Sequence, residues 1–150
     1  MKKKLSICIP SSCGGHLKEV MMYKETFSSH NIFYILNDKI NNQDFLNKNK
    51  VYFISHIENY IFVLINFIQA YAILKKTKPD LVISTGASPA FVISMISKFF
   101  FKSKIIYIES ITRIKSPSKT GKLMYFISDL FIYRHPKLLK FFPKGKLFEI

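Results

Sequence analysis

Short apolar runs alternate along the chain with longer ones, which is the pattern expected when strands alternate with helices. The short runs are rich in β-branched and aromatic residues and end at turn-forming residues. They predict strands at Leu5–Ile9 (ending at Pro10), Asn31–Leu36, Val51–Ile54, Asp80–Thr85, Lys104–Glu109 and a final short strand at Asp129–Tyr133. The longer runs predict helices at His16–Ser28, Ile57–Lys76, Ser88 to about Phe100, and Lys119–Ile127.

The predicted strands are almost continuously apolar, which is typical of a parallel sheet covered on both faces. The fold class is therefore α/β, a Rossmann-like parallel sheet with helices on both faces. A length of 150 residues without an internal repeat or linker predicts one domain over residues 1–150. The polar segment from Asn37 to Lys50 is expected to be a loop or a short helix.

Ligands of such sheets bind beyond the carboxyl ends of the strands, where loops lead into helices. The first of these loops, residues 11–16, contains Gly14 and Gly15, which let the backbone approach a ligand closely. His16 follows at the helix start, and an imidazole that titrates near neutrality suits a general base. The loop is neither a P-loop nor a dinucleotide fingerprint, so a tight turn with an uninvolved histidine is the alternative. A Cys13–His16 nucleophile pair is disfavoured because no third, orienting residue is evident.

Two further loops complete the predicted site. Residues 84–89 are small enough for a sugar or a diphosphate to come close. The segment from Glu109 to Lys122 places a carboxylate at a strand end and follows it with Arg113, Lys119 and Lys122. A solvated basic loop is the alternative interpretation of this last segment.

The composition adds a strong positive charge to this picture. Lys and Arg number 23 against 9 Asp and Glu, so the formal net charge is +14, and mean hydropathy is +0.14. Such a surplus favours an anionic membrane or phosphorylated substrates as partners, although biased codon usage could also produce it. Nucleic acid is disfavoured because the aromatic residues lie within apolar runs and no reader motif is present.

Targeting and metal signals are weak. Cys8 and Cys13 are the only cysteines, and their surroundings predict neither a disulfide framework nor a metal site. The basic start of the chain precedes only a short apolar stretch, unlike a signal peptide, so we expect the protein on the cytoplasmic side. The helix Ile57–Lys76 is interrupted by Asn66 and Gln69, which disfavours a transmembrane span. It is either buried against the sheet or lies at a membrane interface, together with the Phe99–Phe101 cluster.

Four motifs occur in an order that resembles one known family. They are Ser-x-Gly-Gly-His after the first strand, Lys-Pro-Asp-Leu-Val-Ile-Ser-Thr-Gly-Ala, Ile-Tyr-Ile-Glu-Ser, and Ser-x-Thr-Gly-Lys-Leu-x-Tyr. Together they resemble the Alg14-like family of oligosaccharide biosynthesis, including the bacterial PssD-type proteins of capsule and exopolysaccharide assembly. Members of this family are similar to the N-terminal lobe of a GT-B glycosyltransferase such as MurG.

The resemblance implies a specific function. The chain would be the membrane-associated, acceptor-side subunit of a two-component, inverting UDP-sugar glycosyltransferase. A separate GT-B C-terminal-lobe subunit would bind the UDP-sugar, and a polyprenyl-diphosphate-linked sugar at the cytoplasmic membrane face would be the acceptor. No metal or other cofactor is expected, since GT-B enzymes neutralise the leaving diphosphate with helix ends and basic groups.

The resemblance also assigns residues to roles. His16 would be the general base, and Glu109 is the second catalytic candidate. The residues expected to hold the acceptor sugar and its diphosphate are Ser12, Gly14, Gly15, Thr85, Gly86, Ala87, Ser110, Arg113, Ser118, Thr120, Gly121 and Lys122. Two departures from the family pattern are Cys13, in place of a small residue, and Arg134-His135-Pro136, where many relatives have Gln-Trp-Pro.

Two other functions remain open at this point. A self-sufficient Rossmann-like nucleotide-binding enzyme is disfavoured, since no second lobe is present and no acidic residue follows the first loop at dinucleotide spacing. A non-catalytic membrane anchor or activator of the partner agrees with the same motifs.

Overall fold

A parallel sheet of seven strands forms the centre of the fold. The computed structural model describes residues 3–37, 42–55 and 60–148, so the predicted start of the long helix at Ile57 and part of the 37–50 segment lie outside the described residues. The strands are β1 Ser6–Ser11, β2 Asn31–Leu36, β3 Lys50–Phe53, β4 Leu81–Ser84, β5 Lys104–Ile108, β6 Leu130–Tyr133 and β7 Lys146–Leu147. Their order is β3-β2-β1-β4-β5-β6-β7, and every ladder is parallel.

Helices cover both faces of this sheet. They are α1 Gly15–Met21, α2 Lys24–Phe27, α3 Gln43–Lys48, α4 Tyr60–Thr77, α5 Ser88–Phe101 and α6 Lys119–Ile127, followed by a 3-10 turn at Pro136–Leu138. Because side chains alternate along a strand, β1 serves two cores at once. Cys8 belongs to the core beneath α4, α5 and α6, whereas Ile7 and Ile9 pack with Leu17 and Val20 of α1. The predicted Rossmann-like architecture is confirmed.

The strand order creates a crevice at one place. The chain moves outward from β1 to β2 and β3, and then returns to add β4 on the other side of β1. This reversal is a topological switch point, and ligands of open α/β sheets bind outside the carboxyl ends of the strands there. The loops after β1 and β4 therefore face each other.

The predicted helix over His16–Ser28 is wrong in detail, because two short helices occupy this segment. The last turn of α1 tightens, with the backbone N–H of Tyr23 donating to the carbonyl of Val20. The break places the Tyr23 ring 5.3 Å from the guanidinium carbon of Arg134. This contact comes from a residue far away in the chain, so helical periodicity could not reveal it.

Other boundaries shift by smaller amounts. β1 continues through Pro10 to Ser11, and the missing proline N–H is tolerated because the β1–β4 ladder involves only Ile7 and Cys8. Ala87 is the N-cap residue of α5 and has a φ of 79°. The segment before β3 contains the short helix α3, capped by Asn42, whose side chain accepts from the Phe45 N–H. The edge strand β7 was not predicted.

Helix α4 has one face against the sheet, as the buried-helix interpretation predicts. Ala70 and Leu74 are buried in the core. The two polar residues that interrupt its sequence both bind the backbone of Ser55, with Asn66 donating to the carbonyl and Gln69 accepting from the N–H. Another face of α4 exposes the large apolar side chains of Leu64, Ile65 and Ile68.

Candidate active site

Two clefts meet at the carboxyl edge of the sheet, and His16 lies where they join. One cleft, of about 560 Å³, is lined mainly by the loops after β4 and β5 and by the start of α6. The other, of about 530 Å³, lies between α1 and the loop after β5 and is mostly apolar. Residues that line both clefts are His16, Ser110 and Thr112. We call residues 110–112, which separate the two clefts, the ridge.

The loop after β4 holds the His16 imidazole. Thr85 Oγ1 donates a hydrogen bond of 3.0 Å to the backbone carbonyl of His16, which fixes the start of α1. The imidazole packs directly against Gly86, where a Cβ atom would lie 2.7 Å from Cε1 of the ring. Gly86 also has a φ of +133°, which favours glycine. Gly86 therefore lets the imidazole of His16 come close to this loop, and the approach of a sugar or diphosphate to residues 84–89 stays a prediction.

Glu19 is a site residue that the sequence analysis missed. It lies one helical turn after His16, and its carboxylate is only 8 % exposed. Oε1 accepts a 2.6 Å hydrogen bond from the backbone N–H of Ile111, and Oε2 is 3.9 Å from His16 Nδ1. The signal in the sequence was an acidic residue three positions after the histidine, a spacing that puts both on one helix face.

Glu109 is completely buried at the end of β5. Its carboxylate accepts hydrogen bonds from the N–H of Ser110 and from both the N–H and the hydroxyl of Ser118. Gly121 lies against this carboxylate so closely that a Cβ atom there would collide with Oε2. Glu109 thus folds the third loop back onto α6, and its catalytic role stays a prediction.

Ser118 joins this carboxylate to the beginning of α6. Its Oγ accepts a 2.8 Å hydrogen bond from the Gly121 N–H and so caps the helix. Tyr107 Oη lies 3.4 Å from the same hydroxyl. Burial, together with the negative charge of Glu109, raises the pKa of Tyr107 well above its usual value, so this phenol stays protonated.

The predicted site residues fall into three groups. Those that line a cleft are Gly15, His16, Gly86, Ala87, Ser110, Arg113, Ser118 and Thr120. Those buried behind the surface as supports are Thr85, Glu109 and Gly121. Those outside both clefts are Ser12, Gly14 and Lys122, and Lys122 lines a separate apolar pocket with Tyr125, Phe126 and Phe141.

The larger cleft can attract an anion. The side chains of Arg113 and Lys119 line it, and both residues are exposed. The start of the fourteen-residue helix α5 reaches the same cleft through Ala87, and a helix N-terminus carries partial positive charge. A diphosphate would find both kinds of partner here.

Neither a metal-binding cluster nor a membrane-spanning helix is found among the described residues. Among residues 3–37, 42–55 and 60–148, no cluster of three His, Cys, Asp or Glu side chains could hold a metal ion. Over the same ranges, no helix is both long and apolar enough to cross a bilayer. Cys8 and Cys13 do not form a disulfide, and burial raises the pKa of the Cys8 thiol.

Comparison with known proteins identifies the family. The sequence profile described as "Oligosaccharide biosynthesis protein Alg14 like" matches residues 48–150, which is more than half of the chain. The chain belongs to the Alg14-like family. The resemblance seen in the four motifs is confirmed.

Curated relatives of this Alg14-like chain carry the same name. The human UDP-N-acetylglucosamine transferase subunit ALG14 is 32 % identical over 81 residues, which are 51 % of this chain and 38 % of the human protein. The Saccharomyces cerevisiae protein of that name is 43 % identical over 49 residues, which are 32 % of this chain and 21 % of the yeast protein. The matched region thus spans well under half the length of these relatives.

Solved structures share the fold. The Acinetobacter baumannii MurG structure superposes with a TM-score of 0.69 at 12 % identity, over 89 % of this chain and 42 % of MurG. A UDP-N-acetylglucosamine 2-epimerase from Rickettsia bellii gives a TM-score of 0.72 at 15 % identity, over 94 % of this chain and 42 % of the epimerase. The GT-B-like fold prediction is confirmed by these similarities.

Proposed function

We propose that this Alg14-like chain is the acceptor-side subunit of a two-component glycosyltransferase. It would transfer a sugar from a UDP-sugar to a polyprenyl-diphosphate-linked glycan, in capsule or exopolysaccharide synthesis. The observation that carries the proposal is the imidazole of His16, about one-third exposed, at the junction of two open clefts with Arg113 and Lys119 at one side. The relatives' name, a subunit of a UDP-N-acetylglucosamine transferase, supports the same class of reaction.

In this reaction the acceptor hydroxyl would lie against His16. The imidazole takes the hydroxyl proton as the oxygen forms a bond to the anomeric carbon of the donor. The bond from that carbon to the UDP oxygen breaks on the opposite side, so the anomeric configuration inverts. The acceptor diphosphate lies toward Arg113, Lys119 and the start of α5, where positive charge stabilises it.

A second polypeptide would complete the site. Both clefts are open to solvent, and the His16 side chain where they join is partly exposed. A donor-binding subunit resembling a GT-B C-terminal lobe would close over the ridge and bring the UDP-sugar to His16. Arg134 and His135 lie at the end of β6 on this same edge, so they would influence which partner docks.

The chain would also bind the cytoplasmic face of the membrane through one surface. The exposed apolar side chains of α4 and α5 are Leu64, Ile65, Ile68, Phe99 and Phe100. The Phe100 ring contacts Phe67 and Tyr71, which joins the two helices into one face. The exposed lysines at the ends of these helices are Lys75, Lys76 and Lys102. This basic-aromatic surface suits the boundary between anionic headgroups and acyl chains.

The catalytic part of the proposal is tested in cells of the source organism that lack the gene. Membranes from complemented cells are incubated with radiolabelled UDP-N-acetylglucosamine, and label in the organic-solvent lipid fraction is measured. We expect His16→Ala to lower transfer by about 10²–10⁴-fold, the usual contribution of a general base. His30→Gln, at the amino edge of the sheet, is the matched control and keeps wild-type transfer. Full transfer by His16→Ala would instead indicate a non-catalytic anchor or activator.

The partner is tested by affinity purification of the tagged chain from the same cells. We expect one small protein with the sequence of a GT-B C-terminal lobe to copurify, and transfer to require both proteins. Robust turnover of a UDP-sugar by the purified chain alone would contradict the two-component proposal and favour a self-sufficient enzyme.

Membrane binding is tested by cosedimentation with vesicles. The wild-type chain should bind vesicles that contain phosphatidylglycerol more tightly than pure phosphatidylcholine, and salt should weaken binding. The double variant Leu64→Gln/Ile68→Gln should bind at least about tenfold more weakly, since it replaces two exposed apolar side chains that would be buried in the membrane. Phe53→Gln, an exposed aromatic on β3, serves as the control. Unchanged binding of the double variant would rule out this surface.

A further inference from the structure

We propose that Glu19 is the positioning residue that orients the His16 imidazole and links it to the ridge between the clefts. The inference deepens the proposed function and rests on His16 being the base. Nothing in the four motifs assigns Glu19 a role. The two carboxylate oxygens of Glu19 face different partners, the Ile111 N–H and the His16 imidazole.

The first carboxylate oxygen of Glu19, Oε1, already accepts a hydrogen bond. Oε1 accepts from the Ile111 N–H, so the carboxylate cannot turn away into solvent without leaving that donor unpaired. A buried polar group left without a partner costs about 1–3 kcal/mol, which keeps the carboxylate in place. Its position is thus determined by the loop after β5.

The second oxygen faces the imidazole. Oε2 is 3.9 Å from His16 Nδ1, and this nitrogen is buried without a hydrogen-bond partner. The separation is about 1 Å longer than a hydrogen bond between a charged donor and acceptor. Catalytic hydrogen bonds are often long in the absence of substrate and shorten in the working complex. A small rotation of the imidazole toward Glu19 would make this bond.

The consequence is a defined tautomer. When Nδ1 carries the proton and donates to Glu19, Nε2 is unprotonated and available to the acceptor hydroxyl. After proton transfer, the carboxylate stabilises the imidazolium without accepting the proton itself. Gly86 contributes to this arrangement, because the imidazole packs closely against it.

The ridge is fixed through the same residue. The Ile111 N–H binds Glu19, and the Ile111 carbonyl accepts a 2.9 Å hydrogen bond from His135 Nε2. One peptide segment is therefore held from α1 on one side and from the end of β6 on the other. A ligand or partner that moves the ridge would move the carboxylate that orients His16.

Other charges near the imidazole do not compete for Nδ1. The charged groups that line the two clefts, apart from His16 and Glu19, are Lys18, Arg113 and Lys119, and all are cations. Glu109 is buried and bound to Ser110 and Ser118. Within the described residues, Glu19 is the carboxylate positioned to accept from this nitrogen.

The test is a long-range ¹H–¹⁵N spectrum of the full chain labelled at histidine, at a pH where the imidazole is neutral. The His16 resonances are assigned by their loss in His16→Gln. We expect the wild-type chain to show the Nδ1–H tautomer, and Glu19→Gln to shift it toward the Nε2–H form. Glu25→Gln, which replaces an exposed carboxylate on α2, should leave the tautomer unchanged. A wild-type spectrum with the proton on Nε2 would overturn the inference.

Activity measurements separate the possible failures. In the transfer assay, Glu19→Gln should lower kcat with little change in KM, by less than the loss of about 10²–10⁴-fold expected for removal of the base itself. Glu19→Asp keeps the charge and should recover part of the rate. If His16→Ala abolishes transfer while Glu19→Gln changes neither rate nor tautomer, this inference fails alone. If Glu19→Gln shifts the tautomer but His16→Ala keeps full transfer, His16 is not the general base. The role of Glu19 in orienting the imidazole would then still be supported.

Discussion

Replacing Gly86 with alanine should damage catalysis much more than it damages the fold. The new Cβ would lie 2.7 Å from Cε1 of His16, whereas ordinary contacts begin at 3.4 Å. The ring must therefore move by roughly 0.7 Å or more. A misplacement of about 1 Å at a reacting group can lower a rate by about 10²-fold. We expect a loss of that size in the transfer assay.

The cost to stability has a separate origin. The φ of +133° at Gly86 is unfavourable for alanine, and such backbone strain costs about 1–3 kcal/mol. Since a domain of this size is stable by about 5–15 kcal/mol, the variant should still fold. A loss of about 2 kcal/mol corresponds to a Tm about 4–8 °C lower.

A matched substitution separates the two effects. In Gly145→Ala the new Cβ would meet the Tyr133 ring at 3.0 Å, far from His16, so it should lower the Tm without lowering transfer. Thermal denaturation followed by circular dichroism and the lipid-label assay give the two measurements. Wild-type transfer by a folded Gly86→Ala protein would refute the reasoning that this contact positions the imidazole.

Two further predictions concern buried and partly buried carboxylates. Glu109→Gln should lower the free energy of unfolding by about 2–4 kcal/mol in urea titrations, because an amide cannot accept from all the donors that the carboxylate binds. Glu25→Gln, at an exposed position, is the control, and an equal loss of stability in that variant would contradict the prediction. Burial raises the pKa of Asp129, but the Ile105 N–H and the ammonium groups of Lys104 and Lys98 outweigh it and hold the pKa below its usual value. Because the folded pKa is the lower one, this stabilisation is complete above about pH 4 and is lost as the pH falls through the folded pKa. The difference in urea midpoint between wild type and Asp129→Asn should therefore be largest near neutral pH and should decrease below about pH 4. A midpoint difference that stays constant with pH would contradict a lowered pKa at Asp129.

Much of the fold could be predicted because the strands are nearly continuous apolar runs. Asn31–Leu36 and Lys119–Ile127 were both predicted with their observed bounds. Where prediction failed, the observed contacts join distant parts of the chain. Tyr23, at the break between α1 and α2, lies against Arg134, and β7 pairs with the edge of β6.

The candidate site shows the same division. The motifs identified His16 and the three loops from residue types that approach ligands closely. They could not show that the His16 imidazole packs against Gly86, or that the Glu109 carboxylate accepts hydrogen bonds from Ser118. Nor could they show that Lys122 lines a different pocket. Each of these facts is a distance between segments that are far apart in the chain.

The sequence by itself therefore determined which segments are strands, where glycine and hydroxyl residues follow them, and which family the motifs resemble. The tertiary structure alone decided which of those residues touch one another. Strand order places the loops after β1, β4 and β5 at one edge, and only there can Glu19 on α1 reach both His16 and the backbone of Ile111. Such contacts depend on the packing of whole elements, which periodicity along a single segment does not encode.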